Sequence, residues 1–172
     1  MVEAVHQIII DGYNVIRQTA PYHELSERGD IDHARDVLIG DIAALASRDT
    51  NVTVVFDGTN NPASTGEPTT QAGVVVVFSP HGRTADSVIE KLSHEARSRG
   101  DSVEVITSDA TIQWTVMSGS VMRKSSREFG EEMKEDFRHW QADNRHHSMR
   151  SSLDDRLSPQ AREALERLSK GS

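Results

Sequence analysis

Three aspartates stand where an apolar segment gives way to polar residues, a fourth stands near the start of a predicted helix, and carboxylates in such places can do chemistry. Asp11 ends the apolar run of IIIDGYNVI, Asp57 follows VVF, and Asp109 comes shortly after VIT. Asp86 lies early in RTADSVIEKL, which has the pattern of a helix start. Each has an ordinary structural explanation on its own, because Asp is common in turns, helix caps and first helical turns. The four together indicate a shared site.

A cluster of four carboxylates implies a positively charged partner. Like charges held together cost free energy unless a cation joins them. Hard divalent ions such as Mg²⁺ and Mn²⁺ prefer oxygen ligands of this kind. Pairs of such ions about 4 Å apart activate water and stabilise a leaving oxygen in phosphodiester hydrolysis. The aspartates therefore predict a metal site suited to that reaction.

The segments that must position these aspartates alternate between short strands and helices. The strand candidates are almost wholly apolar and rich in β-branched residues: 5–10, 52–56, 73–78 and 103–107. Helical patterns mark 32–48, 84–100, 110–119 and 125–140, and Ser158-Pro159 begins a last helix. Strands of this kind are typical of a parallel sheet that is buried on both faces. The functional crevice of such a sheet lies outside the carboxyl ends of the strands, where the aspartates are placed.

The predicted fold class is therefore α/β, with a central, mostly parallel sheet and helices on both faces. A chain of 172 residues suits one domain, which we place at residues 1–142. Its last helix carries an apolar stripe: Phe129, Met133, Phe137 and Trp140. Residues 143–172 are predicted to form a polar loop, from Asp143 to Asp155, and a C-terminal helix packed on the same domain.

Composition limits the compartment and the class of partner. The net charge is −8, and the acidic excess falls in residues 1–122, which carry −9, whereas residues 123–172 carry +1. The chain has no cysteine, so thiolate chemistry and disulfides are excluded. The N-terminus lacks the pattern of a signal peptide, and no apolar run approaches the ~18 residues of a membrane span. We expect a cytoplasmic protein with no membrane partner.

Five segments taken in order carry a resemblance to a known family. They are IIIDGYNVI, VVFDGTN, TADSVIEKL, VITSD and MRKSSRE. Together they resemble the NYN domain group of PIN-like ribonucleases over roughly residues 6–140. The match is closest to the YacP-like branch, which includes a ribosome-associated endoribonuclease that cuts mRNA. The resemblance implies a PIN-like (NYN) fold, an endoribonuclease activity that depends on Mg²⁺ or Mn²⁺, and RNA and the ribosome as partners.

The resemblance also implies roles for individual residues. Asp11, Asp86 and Asp109 match the three catalytic, metal-binding carboxylates, and Asp57 is a further metal-site candidate. Asn14 matches the asparagine that names the domain, and its side chain would orient Asp11 or a bound water. These residues would form the nuclease centre.

Basic residues and one aromatic residue are the candidates for RNA contacts. Arg123 and Lys124 match a basic pair that would meet RNA phosphates, with Arg127 as an addition, although a solvated surface pair is the alternative. Arg83 lies in a loop and is a second candidate for a phosphate contact. Tyr13, two residues after Asp11, is either a surface on which a base stacks or an anchor of the turn. The stretch EFGEEMKEDFRHW departs from the branch because it contains five acids, which weakens the expectation of ribosome docking.

Two other functions compete with the nuclease. A PIN-like module could keep the fold and act only by binding RNA or the ribosome, although such a module has no need of four repelling carboxylates. A haloacid-dehalogenase-like phosphatase would need a D-x-D pair after the first strand, and its second position is Tyr13 here. A nucleotide cofactor is not expected, because neither G-x-G-x-x-G after the first strand nor G-x-x-x-x-G-K-[ST] is present.

Overall fold

The computed structural model describes residues 4–109 and 121–156, with side chains described as far as residue 143. Its strands are β1 (His6–Asp11), β2 (Thr50–Phe56), β3 (Thr69–Gln71), β4 (Val74–Phe78), β5 (Ser102–Ile106) and β6 (Val121–Lys124). Its helices are α1 (Gly12–Gln18), α2 (Tyr22–Glu27), α3 (Ile31–Ile42), α4 (Ala85–Ser98) and α5 (Ser126–Arg156), and a 3-10 turn, Ala43–Leu45, follows α3.

The six strands form one sheet in the order β3-β4-β2-β1-β5-β6. All neighbours pair in parallel except β3, which pairs antiparallel with β4. The first strand is thus central, with β2 on one side and β5 on the other. Because parallel strands end at the same edge of a sheet, the residues that follow β1, β2, β4 and β5 come together there.

Helices cover both faces of the sheet, as predicted. On one face, Ile9 and Val55 lie in a buried cluster with Ile89 of α4. Neighbouring residues along a strand point to opposite faces. Accordingly, Phe56 packs on the other face against α1, where its ring lies 5.1 Å from that of Tyr13 between centroids. Gly12 is required at this contact, because a Cβ on it would lie 2.3 Å from the Phe56 ring.

At the opposite end of the sheet, where the strands begin, the carboxylate of Asp101 links two strands. Asp101, just before β5, accepts hydrogen bonds from the backbone N–H of Val5 at 3.2 Å and from the Gln7 side chain at 3.0 Å. The Arg99 guanidinium donates a further pair of hydrogen bonds. These donors, led by the Val5 N–H, hold the pKa of Asp101 below its usual value. The starts of β1 and β5 are therefore tied together.

The four predicted strands are confirmed, with ends that shift by no more than two residues. The helices predicted at 32–48 and 84–100 are confirmed as α3 and α4, although α3 gives way to a 3-10 turn after Ile42. Two strands and two helices were not predicted: β3, β6, α1 and α2. The helices predicted at 110–119 and from Ser158 lie outside the described residues.

The predicted polar loop between Asp143 and Asp155 is wrong, because α5 continues to Arg156. Polarity alone suggested a loop, but no Gly or Pro interrupts the sequence between Gly130 and Pro159. Without either residue, a helix that has begun can propagate through polar positions at little cost per residue.

The chain divides into two compact units, Met1–Glu131 and Glu132–Ser172. The first unit contains the whole sheet and the first turn of α5, where Phe129 is buried. In the second unit, Phe137 and Trp140 are 54% and 61% exposed, with their rings stacked 6.1 Å apart between centroids. The apolar stripe predicted for α5 is therefore buried at Phe129 and exposed to solvent at these two aromatic residues. No helix in the described ranges is long and apolar enough to span a membrane.

Candidate active site

Asp11 occupies the centre of the carboxyl edge, as the last residue of the central strand. It also caps α1, because its Oδ1 accepts a hydrogen bond of 3.1 Å from the backbone N–H of Asn14. An aspartate at this position satisfies a helical N–H that has no partner within the helix. Only 7% of Asp11 is exposed. The Asp-Gly pair is thus a strand-to-helix junction rather than a simple turn.

The other three predicted aspartates line the same cleft as Asp11. Asp57 directly follows β2, Asp86 is the second residue of α4, and Asp109 lies three residues after β5. The cleft has a volume of about 420 Å³. Its remaining lining consists of Tyr13, Ile16, Arg17, Ser26, Ile31, Thr84 and Ala85. Segments far apart in sequence therefore bring all four carboxylates to one opening.

Burial and mutual repulsion raise the pKa values of two of these carboxyls. Burial is the largest cause at Asp11, where it raises the pKa to about 6, and the charges of Asp86 and Asp109 add to the shift. The N–H of Asn14 and the positive charge of Arg17 oppose it. Burial, followed by the charges of Asp109 and Asp57, also raises the pKa of Asp86. The aspartates are close enough to act on one another electrostatically.

Asp57 has a different environment and a clear structural task. Slight burial raises its pKa, but hydrogen bonds from Thr59 and Ala85 outweigh that effect and lower the pKa overall. One oxygen accepts from the Thr59 N–H at 2.9 Å, and the other accepts from the Ala85 N–H at 3.1 Å. Because Ala85 is the first residue of α4, Asp57 holds the helix end that carries Asp86.

Asn14 connects the site to two other segments. Its side-chain oxygen accepts hydrogen bonds from the Ser108 N–H at 2.9 Å and from the Ser126 hydroxyl at 2.6 Å. The Ser126 N–H in turn donates to the Ser108 hydroxyl at 3.0 Å. We call these three residues the Asn14 clamp. The backbone of Asn14 contacts Asp11, and its side chain secures the loop that leads to Asp109.

The predicted basic residues occupy different surroundings. Arg123 is exposed and donates to the backbone oxygens of Thr107, at 3.5 Å, and Asp109, at 3.3 Å, which brings it to the site. Lys124 instead forms an ion pair of 3.0 Å with Glu104. Arg127 pairs with Glu131 on the surface of α5. The backbone oxygen of Arg83 accepts hydrogen bonds from the hydroxyls of Thr59 and Ser79, and Arg83 is exposed.

Arg17 lies in the cleft and was not among the predicted site residues. It is four residues after Tyr13, and residues at this spacing share one face of a helix. The pattern was hidden because α1 has only seven residues, too few for a convincing periodicity. Arg17 supplies positive charge within the site, and it lowers the pKa values of both Asp11 and Asp57.

The donor chemistry of the cleft suits a hard divalent cation. Across the described parts of the chain, no three His, Cys, Asp or Glu side chains converge closely enough to cage a metal ion. A full protein cage is not required, because Mg²⁺ usually keeps several waters and binds one or two carboxylates together with substrate phosphates. Asp11 and Asp86, whose charges repel, are residues that such an ion would stabilise.

Comparison with known proteins identifies the family of this chain. The family model for the YacP-like NYN domain matches residues 8–170. The Bacillus subtilis (strain 168) protein YacP is 34% identical over 128 residues, which are 74% of each chain. NYN domains belong to the PIN-like nuclease superfamily, whose members generally use divalent metal ions.

Solved structures give the same result for the fold. The crystal structure of Rae1 (YacP) from Bacillus subtilis is similar with a TM-score of 0.66 and 30% identity, covering 95% of this chain and 94% of that one. The crystal structure of a mutant form of Rae1 is similar with a TM-score of 0.68 and 30% identity, covering 88% and 89%. On the family match, the sequence identity and the shared fold, this chain belongs to the YacP-like NYN domain family.

Proposed function

We propose that this protein is a metal-dependent endoribonuclease that hydrolyses phosphodiester bonds of RNA. One observation carries the proposal: Asp11, Asp86 and Asp109 come from three separate segments and line a single cleft. Membership of a PIN-like nuclease family gives that arrangement a chemical context. Carboxylates grouped in this way cost stability, which a role in binding a cation would explain.

In this proposal, some residues of the cleft bind the metal ion and others hold those residues in position. Asp11 and Asp86 would hold Mg²⁺ or Mn²⁺, and Asp109 would add a third negative charge that attracts the ion. When bound, such an ion supplies a Lewis acid that activates water and stabilises the leaving oxygen. Asp57 keeps the start of α4, and therefore Asp86, in place through its hydrogen bond with Ala85. The Asn14 clamp does the same for the segment that precedes Asp109.

Positive residues near the cleft would bind the RNA backbone. Arg123, beside Asp109, and Arg17, inside the cleft, are the best placed of them, and Arg83 is exposed in the loop just before α4. Phosphate contacts of this kind fix the register of a nucleic acid without reading its sequence. Lys124 and Arg127 contribute less in this scheme, because carboxylates already pair with both.

We further propose that the substrate is mRNA and that cleavage takes place in the cytoplasm in association with the ribosome. The resemblance to the YacP-like branch supports this part of the proposal. The five acids between Glu128 and Trp140 weigh against it, because ribosomal RNA repels negative charge. A direct comparison of translated and naked mRNA therefore has to decide it.

A cleavage assay tests the proposal. The purified protein is incubated with translated and with naked mRNA, in Mg²⁺, in Mn²⁺ and with a chelator. We expect internal cleavage that requires the metal, and faster cleavage of translated mRNA if the ribosome takes part. The double variant Asp11→Asn/Asp86→Asn should fold and lose activity. Full activity in that variant, with an unchanged circular dichroism spectrum, would sink the proposal.

A second function is that of a PIN-like module that only binds RNA or the ribosome. The four carboxylates gathered in the cleft weigh against it, because a binding module has no need of their repulsion. Saturable RNA binding without metal-dependent cleavage of any substrate would support this alternative and exclude the nuclease.

A further inference from the structure

Tyr13 forms an aromatic wall of the cleft. It is the second residue of α1 and is only partly buried. Its ring rests against Phe56 at 5.1 Å between centroids, with the two planes tilted by 57°. Phe56 is fully buried in the sheet, so this contact supports the Tyr13 ring from the protein interior. The ring therefore stands on a rigid base beside Asp11.

Arg35 of α3 fixes the other end of this side chain. Its Nη1 donates a hydrogen bond of 2.8 Å to the hydroxyl of Tyr13. The guanidinium is itself held by an ion pair with Asp32 and by the rings of Phe78 and Phe56, at 5.4 Å and 5.9 Å from their centroids. A side chain supported at both ends loses little conformational freedom when a ligand binds, which favours affinity.

Arg17 continues this wall one helical turn further along α1. Its side chain lines the same cleft, where its charge acts on Asp11 and Asp57. Ile16, which is almost wholly buried, and Ile31 also belong to the lining of the cleft. The cleft therefore combines an aromatic ring and a cation with the carboxylates.

We propose that Tyr13 and Arg17 form a subsite for one nucleotide of single-stranded RNA, with the base on the Tyr13 ring and a phosphate on Arg17. Arg35 is the positioning residue that holds Tyr13 for this contact. The inference rests on the proposed nuclease function and specifies its substrate as unpaired RNA. Single strands expose base faces that can stack on an aromatic ring, whereas a duplex keeps them stacked inside.

Binding measured in an Asp11→Asn background separates this subsite from the chemistry. The probe is a fluorescent single-stranded RNA hexanucleotide, and the readout is anisotropy with Mg²⁺ present. Tyr13→Leu should raise Kd on the order of tenfold, because base stacking is lost. Tyr13→Phe keeps the ring and should restore most of the affinity. Arg35→Met should weaken binding by less than Tyr13→Leu.

Two further comparisons distinguish positioning from general stability. The double variant Tyr13→Leu/Arg35→Met should bind no more weakly than Tyr13→Leu alone, because Arg35 acts through Tyr13. Arg17→Met should reduce the slope of log Kd against log salt by about 0.7, the value for one phosphate contact on a single strand. Tyr13→Leu should leave that slope unchanged. Arg48→Met, at an exposed site just before β2, is the matched control and should change neither quantity.

The results distinguish an error in the proposed RNA subsite from an error in the proposed nuclease function. If Tyr13→Leu and Arg35→Met bind RNA like the control while the protein with native Asp11 cleaves RNA, the subsite is wrong and the nuclease stands. If the variants lose binding as expected but no cleavage occurs with any metal, the subsite stands and the nuclease is wrong. If Tyr13→Leu lowers the Tm, the folded Arg35→Met variant decides, and unchanged RNA affinity in that variant overturns the subsite. Equal affinity for single-stranded and duplex RNA in the Asp11→Asn protein without further changes would also overturn the subsite.

Discussion

The side-chain oxygen of Asn14 accepts a 2.6 Å hydrogen bond from the hydroxyl of Ser126, across 112 positions of sequence. The same oxygen accepts the N–H of Ser108, so one buried amide joins α1, the loop after β5 and the start of α5. The backbone N–H of Asn14 binds Asp11, and its side chain binds Ser108, which directly precedes Asp109. Asn14 therefore connects the end of β1, which carries Asp11, with the segment that carries Asp109.

Removing the hydroxyl of Ser126 should destabilise the protein. Ser126→Ala deprives the buried Asn14 oxygen of a donor, and we expect the free energy of unfolding to fall by about 1–3 kcal/mol. Denaturant unfolding measures the change. A double-mutant cycle with Asn14→Ala should show a coupling of about 0.5–3 kcal/mol. Ser98→Ala, on an exposed helix end, is the control, and strictly additive losses in the cycle would contradict the clamp.

Asp11→Asn should stabilise the fold near neutral pH. The pKa of Asp11 is about 6 in the folded protein, against an ordinary aspartate value of 3.8, so folding disfavours its charged form. Asp11 therefore contributes stability that is fully present below pH ~4 and is lost as the pH rises through about 6. The Asn variant, which can still cap α1, should gain about 1–3 kcal/mol at pH 7.5.

The pH series provides the check on this prediction. Urea unfolding in the presence of a chelator should show the advantage of Asp11→Asn shrinking between pH 6 and pH 4. An advantage that stays constant across that range would mean that Asp11 titrates normally in the folded state.

Divalent ions should stabilise the protein through the same carboxylates. A ligand that binds only the folded state adds about 2.7 kcal/mol when present at 100 times its Kd. We expect Mn²⁺ to raise the Tm of the unmodified protein and to have little effect on Asp86→Asn. Glu67→Gln removes an exposed acid outside the cleft lining and should respond like the unmodified protein. Equal shifts in all three proteins would indicate binding elsewhere on the acidic surface.

Asp57→Ala should reduce catalysis without abolishing it. The change removes the acceptor for the N–H groups of Ala85 and Thr59 and loosens the start of α4. Small displacements of a catalytic group cost up to about a hundredfold in rate, so we expect a loss of between about tenfold and a hundredfold. Asp86→Asn should lose more under identical conditions. A loss at Asp57 as large as that at Asp86 would make Asp57 a direct metal ligand instead.

The strands and their aspartates were accessible from sequence because buried parallel strands are continuous apolar runs. Once β1, β2 and β5 were recognised, the rule that parallel strands end at one edge brought Asp11, Asp57 and Asp109 together. The strand β6 escaped prediction because VMRK is short and half polar, a composition typical of an edge strand.

The supports of the site could not be read from sequence. Arg35 reaches Tyr13 only because α3 packs beside α1, and Ser126 reaches Asn14 only because α5 begins next to the β5 loop. No local pattern encodes either contact. The Asn14 side chain illustrates the difference. The family resemblance implies that it orients Asp11 or a bound water, and the contacts of its oxygen with Ser108 and Ser126 became visible only in the structure.

Asp101 lies at the opposite end of the sheet from Asp11, and its contribution to stability changes with pH in the opposite direction. Its hydrogen bonds contribute stability that is present above pH ~4 and is lost only as the pH falls through its lowered pKa. The stability tied to the raised pKa of Asp11 is instead lost as the pH rises through about 6. Both contributions coexist between these limits. The two ends of the sheet therefore respond to acid in opposite directions, and the metal-free protein keeps part of both contributions only in a mildly acidic range.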